Sequence, residues 1–239
     1  MACLTGEENI MKTVGIIGGL GPETTAKFYM QILSLCQKGN KRNRPSILIS
    51  NVPISFALEE KFIKEGEGKK EFLSLLINSA IQLEKGGADF IVIPCNTAHV
   101  FINEIRASVN VPVLSIIEKT ANVLNKKGVK KVGLLSTPAT IKNKLFDSKL
   151  DVILPNKTEQ KQMGIIINKL INNHQTPRDK QALFRIVDDI SKKSDAILLA
   201  CTDLQLLIPE NKHHKIEILD TMKILAEATV KELLSLKSP

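Results

Sequence analysis

Cys95 and Cys201 end two matched segments. Asp89-Phe90-Ile91-Val92-Ile93-Pro94-Cys95-Asn96-Thr97 and Asp195-Ala196-Ile197-Leu198-Leu199-Ala200-Cys201-Thr202-Asp203 both run from an Asp through apolar residues to a cysteine, then reach a Thr. Each reads as a buried strand that delivers one thiol at its carboxyl end. The chain has four cysteines, and two of them take equivalent places in two halves. Each of these two precedes a helix start, where free N–H groups favour thiolate and bind carboxylates. A thiolate on one side of a bound carbon and a thiol on the other can remove a proton from one face and return it to the opposite face. That inverts a stereocentre without a cofactor. Cysteine is also a common small buried hydrophobe, but the matched placement favours chemistry.

Other chemistries fit the residues less well. A reducing compartment disfavours a permanent Cys95–Cys201 disulfide. Cys95 and His99, with His213 and His214 near the second cysteine, match no common structural zinc frame, so no metal is expected. His99 reads as a helix-face residue that supports the cleft. The turn Gly15-Ile16-Ile17-Gly18-Gly19-Leu20-Gly21-Pro22 lacks the Gly-Lys-Ser/Thr of a phosphate loop and the third glycine of a dinucleotide loop. Its glycines let the backbone approach a small anionic substrate. Thr24 and Thr25 read as helix caps.

The elements that must position these groups alternate. Strands are predicted at Thr13–Ile17, Ser46–Asn51, Asp89–Ile93 and Val113–Ser115. Helices are predicted over about Glu23–Cys36, Lys69–Lys85, His99–Ala107 and Ile117–Lys127, with Val52–Glu60 read as a loop. The pattern then restarts: Lys131-Val132-Gly133-Leu134-Leu135 echoes Thr13-Val14-Gly15-Ile16-Ile17. Strands follow at Asp151–Leu154, Ala196–Leu199 and Ile216–Leu219, with helices over Glu159–Asn172, Arg178–Ser191 and Thr221–Leu236. Strands alternating with helices predict an α/β fold of mainly parallel sheets flanked by helices. The repeat predicts two pseudo-symmetric domains with the active site in the cleft between them, at the carboxyl ends of the strands. The expected division is an N-terminal extension over 1–10, a first domain over 11–111 and 217–239, and a second over 112–216.

Composition sets the bounds. The 239 residues are 43% hydrophobic and 24% charged, ordinary for a globular protein. The net charge of +8 comes mainly from scattered Lys residues, and with no Trp and one Tyr there is no stacking platform for nucleic acid. The Lys41-Arg42-Asn43-Arg44 patch reads as a loop. No apolar run approaches the ~20 residues of a spanning helix, and no signal peptide is visible. The expected setting is cytoplasmic, with neither a nucleic-acid nor a membrane partner.

Gly18-Gly19-Leu20-Gly21-Pro22, Pro94-Cys95-Asn96-Thr97-Ala98-His99 and Cys201-Thr202-Asp203 resemble the aspartate/glutamate racemase family, its aspartate racemase branch above all. The resemblance covers essentially everything after Met11. It implies cofactor-independent inversion of an amino acid, aspartate or glutamate by default, with Cys95 and Cys201 as base and acid. It implies substrate contacts at Asn96, Thr97 and Thr202, with Thr137 and Thr140 from the second half. Gly19 and Asn51 complete the expected substrate-binding set. It also implies a homodimer, and a terminal helix that returns to the first domain. Two departures stand out. Relatives carry Gly and Glu where this chain has Ala200 and Asp203. Aspartate racemases place an Arg in the loop after the second strand and a Lys near the position of Ile171, whereas Val52–Glu60 holds no basic residue and Lys169 lies about two positions away. The alternatives are a related isomerase or decarboxylase of a small dicarboxylic acid, and a homologue that only binds an amino acid.

Overall fold

The protein's structure is a computed structural model describing residues 11–39, 43–147, 150–208 and 216–235. The extension over 1–10, Lys41, Arg42, His213 and His214 lie outside the described residues. Among the described residues, eight strands form two four-stranded sheets, parallel throughout. The first contains β1 (Thr13–Gly18), β2 (Ser46–Asn51), β3 (Phe90–Val92) and β4 (Val113–Leu114), in the order β2-β1-β3-β4. The second contains β5 (Lys131–Leu135), β6 (Asp151–Ile153), β7 (Ala196–Leu199) and β8 (Glu217–Asp220), in the order β6-β5-β7-β8. The order is the same in both, and the registers Val14↔Phe90 and Val132↔Ala196 correspond. Two similar α/β halves are therefore present, as the repeat predicted.

The Asp that opens each cysteine segment has a structural task. Asp89 Oδ2 accepts from Thr13 N at 2.6 Å, and Asp195 Oδ2 accepts from Lys131 N at 2.9 Å. Each carboxylate satisfies the amide at the start of the neighbouring strand and pins the register of the strand that carries the thiol.

Nine helices complete the described chain: α1 (Pro22–Gly39), α2 (Phe56–Glu65), α3 (Lys69–Lys85), α4 (Ile102–Ala107), α5 (Ile116–Lys126), α6 (Pro138–Lys142), α7 (Lys157–Ile171), α8 (Pro177–Ser191) and α9 (Thr221–Leu233). The two sheets share one apolar layer. Val14, Ile16, Phe90 and Val92 of the first and Val132, Leu134, Ala196 and Leu198 of the second meet Phe28 and Ile32 of α1, Ile116 and Leu124 of α5, and Met222 and Leu225 of α9. A second cluster covers the outer face of the first sheet through α2 and α3, and a third covers the second sheet through α7 and α8. Burial on both faces explains why the strands read as continuous apolar runs.

Strand pairing divides the chain differently from the expected boundaries. β4 closes the first sheet and β8 closes the second, each one element beyond the predicted edge. The terminal helix packs on α1 and α5, as the resemblance implied. The stretch read as a loop over Val52–Glu60 contains the start of α2. Ser55 caps that helix, accepting from Leu58 N at 3.2 Å. Phe62 anchors α2, stacking on Phe72 and Phe101 with ring centroids 4.3 and 5.6 Å away. Leu58 and Glu59 share its buried side, three to four residues before Phe62.

Candidate active site

The carboxyl ends of β3 and β7 carry the two thiols. Cys95 is half-buried and Cys201 is buried, and both are free. They are close enough for the charge of one to act on the other: Cys95 contributes to raising the Cys201 thiol. The turns after them are short. Thr97–Phe101 is a 3-10 turn continuing into α4, and Leu204–Leu206 is an isolated 3-10 turn. The predicted thiolate stabilisation at a helix start is therefore corrected. Burial pushes the Cys95 thiol up to about 12; the amide of Ala98 opposes it, the charges of Asp203 and Glu59 add to it, and the amide of Thr97 opposes it least. Burial, then Asp203, also pushes Cys201 well above the usual thiol range. One turn of amides does not outweigh desolvation and nearby carboxylates.

Asp203 ties the halves together at the second thiol. Its Oδ2 lies 3.5 Å from Cys201 Sγ, which donates to it, and its Oδ1 accepts from Thr24 Oγ1 at 2.5 Å. Thr24 is thus not a cap but a bridge from α1 to the Cys201 turn. Thr25 does hold the Gly-rich turn, accepting from Gly19 N at 3.0 Å and donating to Gly21 O at 3.1 Å. Gly19 and Gly21 are required there. Both have positive φ, and a Cβ would fall 2.7 Å from Val52 N at Gly19 and 3.0 Å from Asp203 Oδ1 at Gly21. Asn51, exposed at the end of β2, has its Oδ1 beside Gly19.

The remaining expected contacts divide into two groups. Thr97 from the first half meets Thr137 and Thr140 from the second, with hydroxyl separations of 2.9 and 3.1 Å. Thr137 also caps α6 by accepting from Thr140 N. Asn96 Nδ2 donates to Thr221 Oγ1 at 2.9 Å, and Thr221 donates to Leu199 O at the end of β7. This leaves Asn96 Oδ1 buried with no hydrogen-bond partner. Such a group costs stability unless something donates to it. Thr202 is buried next to Cys201. Among the described residues, no group of three or more His, Cys, Asp or Glu converges to hold a metal.

His99 acts as a brace. Its Nδ1 meets Cys95 O at 2.8 Å, and its Nε2 accepts from Ile116 N at 3.0 Å. Burial first, and Arg106 to a lesser degree, lower its pKa to about 4. It is therefore a neutral imidazole carrying its proton on Nδ1. Three residues around the thiols carry little signal in the sequence. Asp203 stands in the Cys-Thr-Asp motif only as a departure from the family pattern, Thr24 has the sequence position of a cap, and Glu59 falls in the stretch that lacks a helix signal.

The geometry can now be compared with known proteins. The model of the Asp/Glu/Hydantoin racemase family matches residues 17–229. The chain is 33% identical to the broad specificity amino-acid racemase RacX of Bacillus subtilis over 235 residues, covering 94% of this chain and all of that one. The chain belongs to the Asp/Glu/hydantoin racemase family. Membership makes it an isomerase, like its named racemase relatives. Solved structures agree in fold. The aspartate racemase of Picrophilus torridus superposes with a TM-score of 0.79 at 29% identity, covering 95% of this chain and 96% of that one. An aspartate racemase homologue from Pyrococcus horikoshii gives 0.74 at 30% identity, covering 94% and 99%. No described helix is long and apolar enough to cross a membrane.

The electrostatics of the site make a prediction. Asp203 raises both thiols through its charge and accepts from Cys201. In Asp203→Asn the carboxylate charge is gone and an amide can donate to sulfur instead. Alkylation of Cys201 by iodoacetamide at pH 8 is expected to accelerate about three- to fourfold for each unit by which its pKa falls, the gain in thiolate being partly offset by its lower nucleophilicity. Mass spectrometry of the separated peptides reads the rate, and no acceleration would refute the assignment.

Proposed function

We propose that the protein is a cofactor-independent amino-acid racemase in which Cys95 and Cys201 face opposite sides of the substrate Cα. The observation that carries this reading is the equivalent placement of two free thiols just beyond the ends of β3 and β7, which hold the same position in the two sheets. One thiol enters the reaction as thiolate and takes the α-proton, leaving a carbanion conjugated with the carboxylate. The other thiol delivers its proton to the opposite face and becomes thiolate. One proton leaves and one arrives, so the two cysteines exchange protonation states and the product is the other enantiomer.

The surrounding groups suit an amino acid. Asn96 Oδ1, unpartnered and buried, is placed to accept from the substrate ammonium. The hydroxyls of Thr97, Thr137 and Thr140 and the amides after Cys95 supply donors for the α-carboxylate, with Thr202, Gly19 and Asn51 around them. The incoming ammonium also bears on the thiols. Both stand high as the side chains lie, and a positive charge beside them favours the one thiolate the reaction needs.

A decarboxylase that works with one cysteine leaves the second unexplained, and a purely binding homologue leaves both unexplained. Incubation of the reduced protein in D2O with each enantiomer of a panel of amino acids, followed by NMR of the α-proton, tests the reading. Exchange with inversion is expected. Tight binding with no exchange in any amino acid would refute it. Cys36, Cys95 and Cys201 are all free, which fits a reducing cytoplasmic setting. The expected assembly is a homodimer, and light scattering that gives the mass of one chain would refute that.

A further inference from the structure

We infer that Thr221 is a positioning residue for the substrate amine: its hydroxyl turns the Asn96 carboxamide so that the oxygen, and not the NH2 group, is left for the substrate. This rests on the racemase reading above and assigns the residue that sets the polarity of one substrate contact.

The two ends of a carboxamide have nearly the same shape, so hydrogen bonding alone decides which end meets which neighbour. At Asn96 a backbone carbonyl makes that decision. Leu199 O can only accept, and Thr221 Oγ1 donates to it at 2.9 Å. A hydroxyl carries a single proton, and this one is committed. Toward Asn96 the same oxygen can only accept, and it does so from Nδ2 at 2.9 Å. Turning the carboxamide over would set Oδ1 against an oxygen with no proton to give. The NH2 group is therefore held on Thr221, and Oδ1 is left buried without a partner among the described residues. A buried acceptor in that state is costly, and a substrate ammonium is a donor that satisfies it. Asn96 is 2% exposed and Thr221 is fully buried, where such polar contacts act strongly.

The hydroxyl of Thr221 has no task in its own helix. Thr221 opens α9, but the cap is Asp220, which accepts from Met222 N at 2.8 Å. Thr229, buried further along α9, gives its hydroxyl proton to the carbonyl four residues back, Leu225 O at 2.7 Å. Thr221 instead links the two thiol segments. Asn96 follows Cys95 beyond β3, and Leu199 ends β7 two residues before Cys201. Nor is Asn96 a brace of the kind that His99 provides. Both ring nitrogens of His99 are satisfied by backbone groups, whereas Asn96 has a partner on its nitrogen and none on its oxygen.

Two variants separate the hydroxyl from the methyl group. Thr221→Val keeps the shape and releases the carboxamide, and Thr221→Ser keeps the hydroxyl. Exchange in D2O is measured with aspartate, glutamate, alanine, methionine and lysine. For each amino acid that the wild type exchanges, Thr221→Val is expected to raise KM about tenfold or more, the worth of one hydrogen bond to a charged group. The change should fall on KM rather than kcat, because the contact is made before and during the reaction. Thr221→Ser is expected to restore the wild-type KM. A loss carried by kcat alone, or Thr221→Ser as impaired as Thr221→Val, would overturn the inference and leave the racemase reading intact. The side-chain amide region of the 15N–1H NMR spectrum reads the orientation without turnover. The Asn96 signal, identified by its loss in Asn96→Asp, should show one proton shifted downfield and slow to exchange in the wild type and in Thr221→Ser. That shift should disappear in Thr221→Val. A wild-type signal without such a proton would overturn the inference even where Thr221→Val does not fold. No exchange of any of the five by the wild type would remove the racemase reading and this inference with it.

Discussion

Racemisation is expected to fall by about 10³-fold or more in Cys95→Ala and by a similar factor in Cys201→Ala. Each thiol is the sole acid–base group expected on its face of the substrate, and a positioned acid or base is worth about 10²–10⁴. The two losses should not multiply. Groups that act as a unit lose most of their effect when either is removed, so the double variant should be only slightly worse than the worse single one. The pattern separates the readings. A decarboxylase or isomerase using one thiol would be disabled by one replacement and spared by the other. Full turnover in both directions by either single variant would refute the two-thiol mechanism. The variants should remain folded, because each loses a single sulfur, and unchanged melting curves would check that the loss is chemical.

The resting electrostatics shape the same experiment. With both thiols held high, Cys95 to about 12, thiolate is scarce at neutral pH unless the substrate is bound. Turnover then has to rise with pH on the alkaline side, and alkylation of both cysteines should be slow near pH 7. A bound ammonium lowers the cost of the thiolate, so substrate should enhance acid–base readiness rather than merely occupy the cleft. Asp203 works against ionisation as well. It does so while accepting from the Cys201 thiol and from Thr24, so it fixes the orientation of a protonated Cys201. Holding one thiol as the proton donor is half of what a two-base racemase needs.

Much of this arrangement could be read from the residues. Apolar runs between an Asp and a Cys gave β3 and β7, because strands covered on both faces leave an unbroken hydrophobic signature. The repeat of Val14 and Gly15 in Val132 and Gly133 revealed the two halves, and Cys95 and Cys201 followed from it. Three things were not legible. The α2 helix begins at an exposed Phe56 and draws its stability from stacking of Phe62 across the chain, which local pattern does not reveal. The partner of Thr24 lies 179 residues away, so a residue at a helix start looked like a cap. The thiol pKa values depend on burial and on carboxylates brought in from other elements, and local sequence offers only the helix-start argument, which has the opposite sign. Glu59 combines two of these obstacles: it sits on α2, and its carboxyl is pushed up by burial first and then by Asp203 and Glu23, which other elements bring in.

His99 carries the largest expected effect on stability. Its ring closes two backbone groups that have no other reason to meet: the carbonyl of Cys95, which ends the first cysteine segment, and the amide of Ile116, which opens α5. Replacing it with alanine leaves both groups without the ring and opens a cavity where a 2% exposed side chain stood. Each unpaired buried group costs about 1–3 kcal/mol, so a loss of about 3–5 kcal/mol is expected on chemical denaturation. The pH dependence identifies the cause. In the folded chain His99 titrates near 4, while in the unfolded chain it titrates near its ordinary 6.5. Between those values the unfolded state holds the proton and the folded state does not. The neutral brace therefore contributes fully above pH 6.5, and stability declines as the pH falls toward 4, by about 3 kcal/mol at the end of the window. In His99→Ala that part of the decline should vanish, so the stability curves of the variant and the wild type should converge on acidification. Parallel curves across pH 4–7 would show that the ring is not held neutral, and would remove the brace from the account of how Cys95 is positioned.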